Sequence, residues 1–128
     1  MTAGQYDFII EQGATFQRVF AWTDSDDQPV DLTGYTARLQ VRRSASSSTI
    51  YLDLSSEAPG GGDTFIQAIT IDALAGTLTV DVDADVTAAL TWTGAAAYDL
   101  EVTALNGIVT RLLEGSVLLS KEVTRDDG

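Results

Sequence analysis

The stretch YDLEVTALNGIV (98–109) constrains the fold of this chain more than any other. Tyr98, Leu100 and Val102 alternate with Asp99, Glu101 and Thr103, which is the two-residue period of a strand with one face buried. Asn106-Gly107 then turns the chain ahead of a second apolar run. Asn-Gly between alternating runs predicts a hairpin closed by a type I′ turn, because that turn needs positive φ at both central residues. Such a stretch commits this part of the chain to paired β-strands.

The same period recurs along the rest of the sequence, punctuated by turn residues. YDFII (6–10) reads as a strand turned by Gln12-Gly13, and TFQRVFAW (15–22) puts Phe16, Phe20 and Trp22 on one core-facing side that Arg18 interrupts. DSDDQP (24–29) is a polar loop. YTARLQVRR (35–43) turns Ala37, Leu39 and Val41 inward and Arg38, Gln40 and Arg42 outward, and TIYLDL (49–54) offers Ile50, Leu52 and Leu54 to the core. SSEAPGGGD (55–63) is a loop, since consecutive glycines carry the largest entropy cost of ordering. FIQAITI (65–71) and GTLTVDV (76–82) read as a hairpin. DADVTAALTW (83–92) breaks the alternation, and Asp83 or Asp85 is placed to cap a short helical turn carrying Val86, Ala89 and Leu90. IVTRLLEGSVLL (108–119) returns the first hairpin with Gly115 as a bulge, and TRDDG (124–128) is a charged tail. The expected fold is all-β: a single domain over 1–128, built as a two-sheet antiparallel β-sandwich, Ig-like or jelly-roll-like. It has about eight strands and one short helical turn near 83–90. A small barrel is the alternative.

Composition narrows the chemistry. At 128 residues the chain can bury a self-supporting core. It has no cysteine and no histidine, so disulfides, thiolate metal sites, thiol nucleophiles and the usual general base near neutral pH are all absent. No phosphate-cradling glycine loop and no G-x-S-x-G turn occurs, and GGGD (60–63) leads into no helix carrying a Lys. The chain is therefore expected to be non-enzymatic and to use no cofactor. Seven basic residues face nineteen acidic ones, a formal charge of −12, and the one basic cluster is Arg38, Arg42 and Arg43. Phosphate contacts supply most nucleic-acid affinity and need clustered cations, so nucleic acid is not an expected partner. Met1 is followed by polar residues, and no run of 18 apolar residues occurs. No signal peptide, membrane span or membrane partner is expected, and the product stays in the cytosol or leaves as part of something larger.

Three features invite a binding role. Asp81, Asp83 and Asp85 stand two apart, which on a strand places three carboxylates on one face, as a calcium ion would need. They do not fit the helix-loop-helix calcium loop, whose sixth and twelfth positions are here Val86 and Trp92. The plainer reading is a solvated strand face followed by a helix cap. Trp92, between two Thr residues beside Gly94, is a candidate partner contact as well as a candidate core residue. Gly60, Gly61 and Gly62 form a loop that could order on a partner.

The succession IEQGATFQRVFAW, QPVDLTGYTARLQVR and AYDLEVTALNGIVTRLLEGSVLLSKEVTR resembles small virion structural proteins of tailed bacteriophages. In particular it resembles the β-sandwich domain that begins baseplate upper proteins. The group shares a G-x-T/S-F strand, an acidic turn, P-V-D-L-T-G-Y/W-T before a strand ending in Arg, and a closing Y-D-L-E-V-T hairpin. The resemblance covers nearly the whole chain, with 44–64 least constrained, and it carries no catalytic residues. It implies a virion component at the tail or baseplate, synthesised in the host cytoplasm. Such a component would be an adaptor between the tail and fibre or receptor-binding proteins, present in multiple copies with cyclic symmetry. A capsid decoration or neck protein is the alternative location. A calcium-dependent carbohydrate-binding module using Asp81, Asp83, Asp85 and Trp92 is the alternative of another class. Within the resemblance Gly13, Gly34 and Gly107 set turns, Pro29 stiffens the approach to the next strand, and Asn106 takes positive φ.

Overall fold

The computed structural model describes residues 3–124, so all of the charged tail after Thr124 lies outside the described residues. Strands dominate: β1 (Gly4–Gln5), β2 (Phe8–Glu11), β3 (Phe16–Ala21), β4 (Thr36–Arg42), β5 (Ile50–Ser55), β6 (Ile66–Gln67), β7 (Ile69–Asp72), β8 (Thr77–Val82), β9 (Ala95–Thr103) and β10 (Val109–Ser120). The one helix among the described residues, α1 (Ala84–Ala88), follows β8 at the predicted place. No helix among the described residues is long and apolar enough to cross a membrane.

Two sheets form the layers. The larger runs β1-β10-β9-β4-β5-β6, with β2 also on β10, and the smaller runs β3-β8-β7. Leu39, Val41, Leu100, Val102 and Val117 from the first meet Phe16, Ile69, Leu78, Val80 and Val82 from the second in one core. Every other residue of β4, β8 and β9 supplies that core, which is the alternation seen in the sequence. The ladders at the centre of each sheet are antiparallel, as expected. β1 and β2 lie parallel to β10, and β6 lies parallel to β5, so the larger sheet is mixed at both margins.

The eight predicted strands become ten because the chain adds β1 ahead of the first run and divides another at Ala68. The Ala68 N–H donates to Ser55 O in the larger sheet, while its carbonyl accepts the Asp81 N–H in the smaller one. Periodicity could show the apolar positions of 65–71 but not that the run serves both sheets.

Three local details depart from expectation. The β9–β10 turn is not type I′, because Asp27 is the only non-glycine residue with positive φ among those described. Instead Gly107 N–H donates to Ala104 O, Gly107 alone takes φ +90°, and Ala104 N–H donates to Ile108 O. This is the longer hairpin loop that ends in a left-handed glycine. Asn106 contributes through its side chain, accepting the Ile108 N–H on Oδ1. The irregularity in β10 falls between Arg111 and Leu113, and Gly115 is in register opposite Tyr98. Gly115 is required because the β1–β2 crossover passes directly over it: a Cβ there would sit 2.4 Å from Tyr6 O and 2.5 Å from Asp7 Oδ1. Finally, Ile50 is 42% exposed rather than in the core. Val41 pairs with Leu52 and Arg42 with Ile50, so Tyr51 is an extra residue that reverses the alternation.

The strand directions sort the connections to two ends. The loop 22–35, the turns at 72–77 and 104–108 and the start of the 56–65 segment share one end, here the loop end. The Gln12–Ala14 turn, the 43–49 loop, α1 and residues 121–124 share the other, the helix end. The helix end is stapled by polar groups: Thr87, fully buried, accepts the Gly13 N–H at 3.0 Å and donates to Ala14 O at 2.8 Å. Gln12 donates to Leu90 O at 2.7 Å and accepts the Glu122 N–H at 2.9 Å. Gly13 takes φ +86° in this turn, as expected for a turn glycine.

Candidate functional site

The loop end is rigid at its base and apolar at its tips. Asp24 Oδ1 accepts the N–H groups of Asp26 and Gln28, which folds the 24–28 loop on itself, with Asp27 at φ +63°. Thr23 and Pro29 then form an isolated bridge that brings the chain back, so Pro29 does stand at the return from the loop. Asp31 Oδ1 accepts both the Thr33 hydroxyl at 2.6 Å and its N–H at 3.0 Å. These bonds from Thr33, the hydroxyl first, hold the Asp31 carboxyl below its ordinary range. Tyr35 N–H closes the turn onto Leu32 O around Gly34, at φ +81°. Leu32 plugs the core from this loop, and its N–H donates to Ala73 O in the neighbouring turn.

On that base stand four exposed aliphatic side chains: Leu74 (79% exposed), Leu105 (86%), Ile108 (63%) and Val109 (56%). Gly34 permits the hairpin tip to lie close, since a Cβ there would be 3.1 Å from Leu105 Cβ. The same end carries the carboxylates of Asp24, Asp26, Asp27, Asp31 and Asp72, all exposed. Apolar tips that share an end with internally bonded loops and charge have the composition of a protein-docking surface.

The other sequence candidates are distributed differently. Gly60, Gly61 and Gly62 are exposed, and a Cβ on Gly61 or Gly62 would meet nothing within 4 Å. Their loop is nevertheless tied, for Asp63 Oδ2 accepts the Gly60 N–H and Ser56 Oγ accepts the Ala37 N–H. Trp92 takes the core alternative and not the surface one: it is 6% exposed and stacks on Tyr51 with ring centres 5.2 Å apart. Its Nε1–H is buried without a partner among the described residues. Asp81, Asp83 and Asp85 do not converge. Asp81 projects from β8 toward Gln17, Asp83 precedes α1 without capping it through its side chain, and Asp85 lies in the first helical turn. Among the described residues no group of three or more His, Cys, Asp or Glu is arranged to hold a metal ion.

Two of the three clustered arginines, Arg38 and Arg42, are engaged on the outer face of the larger sheet, while Arg43 is exposed beyond the end of β4. Arg38 grips Asp53 through two bonds of 2.7 Å and lies 4.6 Å over the Phe65 ring. The hydrogen bonds to Asp53 raise the Arg38 pKa further, so the charge is permanent. Arg42 bonds Gln40 Oε1 and Ser47 O, which ties down the 43–49 loop. Arg18, which interrupts an apolar face in the sequence, lies 4.9 Å over Phe16 with its head on Gln17 O. Sequence reasoning missed Asp53 and Thr87 as buried polar anchors. The Arg38–Asp53 pair had one visible signal, an acid and a base at outward positions of two successive strands.

No protein-family model matches this chain, and no curated protein sequence matches it.

Proposed function

We propose that the protein is a non-enzymatic structural subunit of a tailed-phage virion, a tail or baseplate adaptor that docks on a neighbouring subunit through its loop end. The observation that carries the docking role is the set of exposed Leu74, Leu105, Ile108 and Val109 at the loop end, on or beside turns that each hold a bond of their own, Ala75 N–H to Asp72 Oδ1 and Ile108 N–H to Asn106 Oδ1. Side chains of this size are normally left to solvent singly, and their grouping at one end is the feature of a contact patch. The virion setting is supported by the sequence resemblance, and the partner is a fibre or receptor-binding subunit. Multiple copies under cyclic symmetry follow from that setting.

Cryo-electron microscopy of the particle that carries this gene tests the reading. Density for the sandwich at the tail end, with the loop end buried on another subunit, is the expected result. Density on the capsid or neck would keep the structural class and move the location, and absence from the particle would overturn the proposal. Leu105→Asp combined with Leu74→Asp is expected to abolish incorporation while leaving the melting temperature of the isolated protein within a few degrees, since both side chains are already exposed.

A further inference from the structure

The larger sheet is left open along half of one margin. β6 pairs with β5 only at Leu54 and Ser55, so on the side away from β4 Ile50–Asp53 have no strand beside them among the described residues. Across that open margin stands α1, and between them runs a groove of about 540 Å³. Ile50, Leu52, Ile66, Val86, Ala89 and Leu90 line it with apolar surface. Its charged groups are Asp53 and Asp85, and no Lys or Arg lines it. Asp53 is spent on Arg38, which leaves the exposed Asp85 as the available carboxylate.

Unpaired strand margins are usually blunted by charge, proline or a kink. β3, at the margin of the smaller sheet, carries Arg18 on its inward side. The open half of β5 has no lysine, proline or inward charge, and its bulge leaves Ile50 facing the groove at 42% exposure.

We propose that this groove binds an extended, cationic segment of a partner protein, which adds to β5 ahead of β6. Main-chain bonds to Ile50–Asp53, a span of about 13 Å, would set its register. Aliphatic side chains would cover the exposed Ile50 and Ile66, and a Lys or Arg would meet Asp85. A second copy of this chain is the poorer occupant. Each copy carries −12, and two-fold pairing of β5 with itself would bring like-charged surfaces together. The proposal stands apart from the docking role of the loop end, because it concerns the flank near the helix end.

The test is titration of the full chain with a six-residue synthetic peptide of alternating valine and lysine, followed by two-dimensional amide NMR. Saturable shifts at Tyr51–Asp53 and in α1, with a dissociation constant of about 0.1–1 mM, are expected. The same peptide with glutamate for lysine should bind at least about tenfold more weakly. Ala89→Arg, at an exposed position at the end of α1, should abolish the shifts while preserving the folded spectrum. No saturable shift, shifts confined to another surface, or equal binding of the glutamate peptide would each overturn the proposal. Dimerisation that Ala89→Arg suppresses would assign the margin to a second copy and overturn it as well.

Discussion

The Tyr98 hydroxyl reaches out of the core to donate to the carbonyl of Tyr6, and that one bond ties the crossover of the first two strands to the middle of the sheet. Burial raises the phenol's pKa well above its ordinary range, with the negative charge of Asp7 and the nearby Tyr6 adding to it. The linkage has a definite sign. The folded protein keeps this proton where the unfolded chain loses it, so the contribution is complete below about pH 10 and declines as pH rises beyond that. Tyr98→Phe is expected to cost about 1 kcal/mol at neutral pH through the lost hydrogen bond. It should also flatten the fall in stability above about pH 10. Urea denaturation of both proteins across that range measures the two effects, and an unchanged alkaline slope would refute the assignment. In the sequence Tyr98 reads only as an inward residue of a strand. Its hydroxyl partner lies 92 residues away, beyond any local pattern.

Among the elements, β10 is the strand on which the architecture converges, since β1, β2 and β9 all pair with it. Gly115 and Gly107, both associated with it, make different demands. Gly107 needs a left-handed backbone in open space, whereas Gly115 needs the absence of a side chain beneath the crossover. Gly107→Ala should therefore cost about 1–2 kcal/mol from backbone strain alone. Gly115→Ala should cost about 2–3 kcal/mol, because backbone atoms of Tyr6 must move. It should also perturb the amide signals of Tyr6 and Asp7, which Gly107→Ala should leave in place. Chemical denaturation with NMR of both variants separates the two mechanisms.

This contrast also shows how far the elements were legible. Strand existence and the inward faces of β4, β8 and β9 follow from alternation, which depends only on neighbours two residues apart. The turn type at Asn106-Gly107 did not follow, since the dipeptide suits more than one hairpin loop. The division at Ala68, the parallel margins and the glycine under the crossover depend on which distant strand lies alongside. Trp92 was undecided for the same reason, its stacking partner Tyr51 being supplied by another strand. At the loop end the polar loop 24–29 was legible from its composition, but the placing of Leu74 and Leu105 at one end was not, because it depends on topology.

At the scale of the whole molecule, a formal charge of −12 opposes non-specific association between copies, which suits the docking role proposed for the apolar tips. The Arg38–Asp53 grip shows a scarce cation serving the framework: one of seven basic residues is committed to a buried acid near the margin of the larger sheet. The parallel pairing of β2 with β10 joins the beginning of the sandwich to its last strand. Both strands run toward the helix end, so tension applied through the two chain termini acts along them in opposite senses. Their four register pairs, Phe8–Val117 to Glu11–Ser120, would be sheared together rather than peeled one at a time. Pulling single molecules through the termini should thus need a markedly higher force than pulling across the β9–β10 hairpin, which can unzip from its base. Comparable forces in the two geometries would refute this. The fold is in this sense a mechanical clamp, stiffest along the line through which a tether would load it.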